Sequence, residues 1–144
     1  MIAVDTNILV YAHREEHEFY AAASTHLQSL AEGRSPWAIP WPCLHEFYGV
    51  VTHRRVFPMP TPRDRALEQV NAWLASPQLV LLHEGVDHWQ VLSGLLKAGQ
   101  IVGPMVHDAR IAALCLAHGV SELWSADRDF NRFPQLTVRN PLIA

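Results

Sequence analysis

Five acidic residues, Asp5, Glu46, Asp108, Asp127 and Asp129, stand where a fold could gather them. Asp5 directly follows the apolar residues Ile2, Ala3 and Val4, and Asp127 and Asp129 follow the short stretch 122–125. Glu46 falls inside a helical pattern, and Asp108 in the first turn of a later one. Gathered carboxylates repel, and each one taken out of water resists ionisation. Such a cluster needs positive charge among its members, yet the chain has a single lysine, Lys97. A divalent cation is the natural counter-charge, and hard oxygen ligands suit Mg2+ or Mn2+. Two such ions roughly 3.5–4 Å apart can activate water and steady the leaving oxygen in phosphodiester cleavage. Singly, each acid has an ordinary explanation. Asp5 could help cap a helix, Glu46 could be a solvated helix residue, Asp108 could complement a helix dipole and Asp127 could form an Asx-turn. Only the joint placement points to one site.

The elements that must position these acids alternate. Short strands are expected at 2–5, 37–40, 79–83, 122–125 and 136–138. Helices are expected at 7–13, 18–32, 42–54, 63–75, 86–99 and 106–119. Thr6 and Asn7 are good helix starters, and Pro42 suits a first helical position. Leu44, Phe47, Tyr48 and Val51 recur at helical spacing, as do Ile111, Ala112, Leu114 and Cys115. Gly33, Gly99 and Gly119 mark helix ends, and Pro58, Pro60 and Pro62 a stiff loop. Alternation without a hairpin signal predicts a three-layer α/β/α sandwich with a central parallel sheet. In such sheets ligands gather beyond the carboxyl ends of the strands, where the strand order reverses. Asp5, Asp108, Asp127 and Asp129 all belong to that edge. Glu46 joins them only if its helix face turns inward, and its apolar neighbours predict partial burial.

The 144 residues suit one domain with a real core, spanning 1–144. No apolar run is long enough for a bilayer, and the N-terminus lacks a basic region before its apolar stretch, so the cytoplasm is the expected location. Cys43 and Cys115 lie far apart among apolar residues and read as two buried thiols. A net charge of −3 argues against a nucleic-acid binder until the five acids are set aside, which leaves +2. Ten of the eleven basic residues are arginine, which suits phosphate but decides little. Among the arginines that could hold phosphates (Arg14, Arg54, Arg55, Arg110, Arg128 and Arg132), Arg110 and Arg128 are favoured because they adjoin Asp108 and Asp127.

Four blocks recur in one order: VDTN at the N-terminus, His45-Glu46-Phe47 in a mid-chain helix, HDARIAALCLAHGV, and SADRDF near the end. Together they resemble PIN domains, and in particular the VapC toxins of bacterial type II toxin–antitoxin modules. The resemblance covers Ile2 to about Pro141. It implies an α/β/α sandwich and a Mg2+- or Mn2+-dependent endoribonuclease that leaves a 5′-phosphate and a 3′-hydroxyl. The family's acids fall on Asp5, Glu46, Asp108 and Asp127, with Asp129 a less regular contributor. Its small polar residues map to Thr6 or Asn7 and to Ser125. His107 departs from the polar residue many relatives carry before the third acid, and a spacer role is expected of it. The resemblance also implies a homodimer and a cognate antitoxin whose tail enters the acidic groove. Trp37, Trp41, Phe47, Tyr48 and Trp73 are candidate contact surface, although core packing is the expected role of each.

Other readings are weaker. His13 to His17 matches H-x-x-E-H, an inverted zinc-protease motif, but nine histidines make a chance match easy. A phospho-receiver domain would want a lysine late in the chain, and Lys97 comes too early. A PIN-like binding or scaffold module would have lost acids, and all four principal ones are present. A DNA nuclease of the same fold would tend to carry further domains.

Overall fold

A computed structural model describes residues 1–143. Its elements run β1 (Ile2–Val4), α1 (Thr6–His13), α2 (Tyr20–Glu32), β2 (Trp37–Pro40), α3 (Trp41–Val51), α4 (Arg63–Leu74), β3 (Leu79–Leu82), α5 (His88–Ala98), α6 (Val106–Ala117), β4 (Glu122–Trp124) and β5 (Val138–Arg139). Two short 3-10 turns, Gly103–Met105 and Arg128–Arg132, precede α6 and follow β4. Every expected strand and helix is present, with shifts of a few residues at the ends.

The five strands are all parallel, in the order β3-β2-β1-β4-β5. The chain steps outward from β1 to β3, then crosses back to β4 on the other side of β1. Right-handed crossovers then put α1 to α4 on one face and α5 and α6 on the other. The contacts agree: α1 packs on α2 and α3, α3 on α4, and α5 on α6. β1 lies at the reversal of strand order, paired in register with both β2 and β4. The carboxyl ends of β1 and β4 are therefore neighbours, which brings Asp5 and Ser125 together from opposite ends of the chain.

The interior is apolar and continuous. Val4, Ile8, Leu9, Trp37, Ile39, Phe47, Leu82, Leu114 and Leu123 are almost wholly buried. The core reading of the aromatics holds for Trp37, Phe47 and Trp73, and the Phe47 and Trp73 rings meet edge-on at 4.8 Å. Trp41 and Tyr48 pack against the core while partly exposed. Cys43 and Cys115 are buried free thiols, and burial pushes Cys115 up to about 12, so neither is poised as a nucleophile. Among the described residues no helix is long and apolar enough to cross a membrane.

Four ends differ in detail from the sequence expectation. α3 stops at Val51, where the Thr52 hydroxyl donates to the Tyr48 carbonyl at 2.7 Å and the Thr61 N–H takes the Val51 carbonyl. Gly33 and Gly99 end their helices without a left-handed residue; the positive φ after α5 belongs to Gln100, at 51°. The last strand starts at Val138 because Leu136 closes a turn onto the Phe133 carbonyl.

Gly119 does what was expected of it, ending the α6 segment at φ +68°. A Cβ there would meet no atom within 4 Å, so substitution is penalised through the backbone alone. Gly119→Ala should cost about 1 kcal/mol, lowering the melting temperature by roughly 4 °C. An unchanged melting curve would show that this residue is not held left-handed.

Candidate active site

Asp5 begins the site. It occupies the position before α1, yet its side chain makes no cap bond to the helix. The carboxylate instead turns to β4, where the Ser125 hydroxyl donates to Asp5 Oδ2 at 2.7 Å. Asn7 supports the same join: its amide nitrogen lies 3.4 Å from Asp5 Oδ2 and 3.3 Å from Ser125 Oγ. Asn7 Oδ1 accepts the Ala126 N–H at 3.1 Å, and Ser125 Oγ accepts the Asp127 N–H at 3.0 Å. One small network thus ties the ends of two central strands. Asp5 and Ser125 are only 7% and 2% exposed, so this network is screened little by water.

Asp127 then accepts the Asp129 N–H at 2.9 Å, forming the Asx-turn that opens the 3-10 turn after β4. That turn brings Asp129 beside Asp127. Asp108, in the first turn of α6, completes a group: one oxygen from each of Asp108, Asp127 and Asp129 lies within 4.8 Å of the others. Among the described residues this is the one group of three or more metal-competent side chains. His13 and His17 do not converge on a common point. His13 binds Gln69 and Thr61 through its two ring nitrogens, and His17 stacks on Tyr11. The zinc-motif reading fails on this geometry.

A cleft of about 650 Å³ opens beside the acids. Asp5, Thr6, Asn7, Glu46, Asp108 and Asp127 share its acidic end, with His107 and Arg110 beside them. Glu46 is exposed, contrary to the partial burial expected of it. α3 buries Cys43, Leu44, Phe47 and Val51, which leaves Glu46 on the opposite face, over the cleft. Arg110 is held by Glu84, from the segment after β3. Arg128 is exposed and lies outside the cleft wall.

The electrostatics follow from this crowding. Burial raises the Asp5 carboxyl, the Ser125 hydroxyl, the nearby Thr6 backbone N–H and the Cys43 thiol oppose that, and the Glu46 charge adds to it. Asp108 is pushed up to about 6, first by desolvation and then by Asp127, Asp5, Asp129 and Glu46. The neighbouring charges that raise Asp108 are all negative, and Arg110, the cation on the cleft wall, is already paired with Glu84. The donor set is all hard oxygen, carries excess negative charge and opens to a cleft. A divalent cation such as Mg2+ or Mn2+ fits it.

The rest of the cleft was not visible in the sequence. Val10, Tyr11, His17, Val50, Val56 and Phe57 form an apolar and aromatic arm leading away from the acids. The only available signal was that Asn7 and Tyr11 stand four residues apart on one helix face.

The strand order and the acidic cleft at its reversal define a doubly wound α/β protein with a carboxylate centre. The chain belongs to the PIN-domain family: the family model described as PIN domain matches residues 2–136. It is similar to Ribonuclease VapC43 of Mycobacterium tuberculosis, at 39% identity over 99% of this chain and 96% of that protein. Ribonuclease VapC37 of the same species is 35% identical, over 92% of each chain. Among solved structures, VapBC2 from Rickettsia felis, bound to a DNA fragment from its promoter, superposes with a TM-score of 0.66. It is 23% identical, covers 97% of this chain and 98% of that one, and bears on the fold alone.

A carboxyl raised in the folded state binds more protons folded than unfolded between its two pKa values. Its ionisation therefore lowers stability as pH rises from about 4 through about 6, and the loss is complete above that. The shift corresponds to about 3 kcal/mol, which we halve to about 1.5 kcal/mol for solvent screening. In metal-free protein Asp108→Asn should raise the melting temperature by roughly 4–6 °C at pH 7 and leave it nearly unchanged at pH 4. A gain of equal size at both pH values would mean that charge repulsion is not the cause.

Proposed function

We propose that this chain is a Mg2+- or Mn2+-dependent endoribonuclease toxin. It hydrolyses RNA phosphodiester bonds to leave a 5′-phosphate and a 3′-hydroxyl. The observation that carries the reading is the convergence of Asp108, Asp127 and Asp129, two of which line an open cleft together with buried Asp5. Relatives that align over nearly the whole chain and are named VapC ribonucleases favour RNA as the substrate.

In this reading Asp5, Asp108 and Asp127 hold the main cation, Glu46 binds it or a second one, and Asp129 assists. A divalent ion bound there lowers the pKa of water and offsets charge on the phosphoryl oxygens. The remaining work belongs to the chain itself. Ser125 and Asn7 fix the Asp5 carboxylate against rotation, so that it would meet a bound cation already oriented. The Ser125 hydroxyl also orders Asp127 through its N–H, which couples two of the acids. Arg110 lies on the cleft wall, where its guanidinium can take a phosphate oxygen, with Glu84 limiting its freedom. Thr6 lines the same end and supplies a further small polar contact.

The same reading gives the protein a cytoplasmic setting, a homodimeric state and a cognate antitoxin that blocks the groove. The support for the antitoxin is the likeness to VapBC structures, which contain such a pair by name.

The test is cleavage of a bulk RNA mixture by purified protein in Mg2+, Mn2+ or EDTA, alongside Asp5→Asn. Cleavage should require the metal and fall at least about 100-fold in the variant, the scale of losing one group that stabilises transition-state charge. Cleavage in EDTA, or a variant as active as the parent, would overturn the assignment.

A further inference from the structure

The cleft continues beyond the carboxylates along α1. Asn7, at the acidic end, and Tyr11 share one face of the helix and are one turn, or roughly 6 Å, apart. The Tyr11 ring stacks on the His17 imidazole, with centroids 4.3 Å apart and planes 26° from parallel. Phe19 braces both rings from 5.5 Å. His17 Nδ1 accepts the Phe19 N–H at 3.1 Å, so the proton of the neutral ring sits on Nε2. That leaves Nε2–H as a donor on a ring that lines the cleft.

The wall across the arm is also fixed. Arg14 lies 4.2 Å over the Phe57 ring and donates to the Met59 carbonyl at 2.8 Å and to Thr61 Oγ1 at 3.1 Å. These bonds hold the segment after α3, and with it Phe57, against α1. The arm is thus a preformed slot with aromatic faces. Of the arm residues Val10, Tyr11, His17, Val50, Val56 and Phe57, only Tyr11 and His17 carry an ionisable group, while His45 and Glu46 of α3 line the cleft as well.

A strand whose phosphate lies at the acids would place its next base in this slot. Unpaired bases are recognised by stacking on Tyr and His faces, which have no charge to satisfy. We propose that Tyr11 and His17 form the stacking platform for an unpaired nucleobase beside the cleaved phosphate. The proposal rests on the ribonuclease reading and extends it. It makes single-stranded RNA, with the base splayed out, the substrate of this cleft. Duplex RNA keeps its bases stacked within the helix and does not enter the slot.

The experiment compares two labelled probes by fluorescence anisotropy in Mg2+, using the Asp5→Asn protein to prevent cleavage. One probe is decaadenylate and the other a ribose-phosphate decamer without bases, which carries the same charge. Stacking of one base should favour decaadenylate by about 5- to 100-fold. Adding Tyr11→Leu should remove most of that preference, and His17→Leu should reduce it. Tyr11→Phe should keep it, because the face and not the hydroxyl is used. Each preference is a ratio on one protein, so a partly unfolded variant does not imitate the effect.

No preference in the Tyr11 protein, or a preference that survives Tyr11→Leu, would overturn the platform; the former would leave the arm to a protein partner. The two readings fail separately. Metal-dependent cleavage without a base preference defeats the platform alone. A Tyr11-dependent preference in a protein that cleaves no RNA supports the platform and defeats the nuclease.

Discussion

Carboxylates repel one another, and this fold holds a set of them together at its centre. Asp5 is anchored by Ser125 and Asn7, Asp127 by the same serine and by its turn to Asp129, and Asp108 by the rigid start of α6. The cost appears in Asp108, whose carboxyl is pushed up to about 6 by burial and by four negative neighbours. Strain of this kind marks functional sites more often than structural ones. It makes sense when a cation completes the arrangement, because the same groups that repel when alone become ligands when the charge between them is positive.

The sheet topology is what makes the crowding possible. β1 sits at the reversal of strand order, so its carboxyl end and that of β4 are adjacent although 120 residues separate Asp5 from Ser125. Helices on both faces leave the strand ends open, and the cleft forms there. Its two halves have different physics. The acidic end holds charge in a poorly screened setting, while the arm along α1 offers aromatic faces and almost no charge. A phosphate with its neighbouring base has the same division.

Much of this was legible in the sequence, for definite reasons. Asp5 and Asp127 end strands and Asp108 starts a helix, so a parallel fold alone forces them to one edge. The alternation of apolar segments was enough to predict that fold. Glu46 was harder. Its neighbours are apolar, but the helix turns them inward and leaves Glu46 exposed over the cleft. The Arg110–Glu84 pair spans 26 residues and two elements, and no local pattern announces it. The pairing of Tyr11 with His17 depends on how the chain folds back between α1 and α2. The sequence offered a zinc motif at that place, which the side-chain directions of His13 and His17 rule out.

The central claim is that the clustered acids form a cation site. Isothermal titration of Mn2+ at pH 7 into the protein and into Asp108→Asn tests it most directly. The account predicts saturable binding by the parent and affinity at least about tenfold weaker in the variant, since one of the few charged oxygen ligands is lost. No binding by the parent, or equal binding by both proteins, would contradict it.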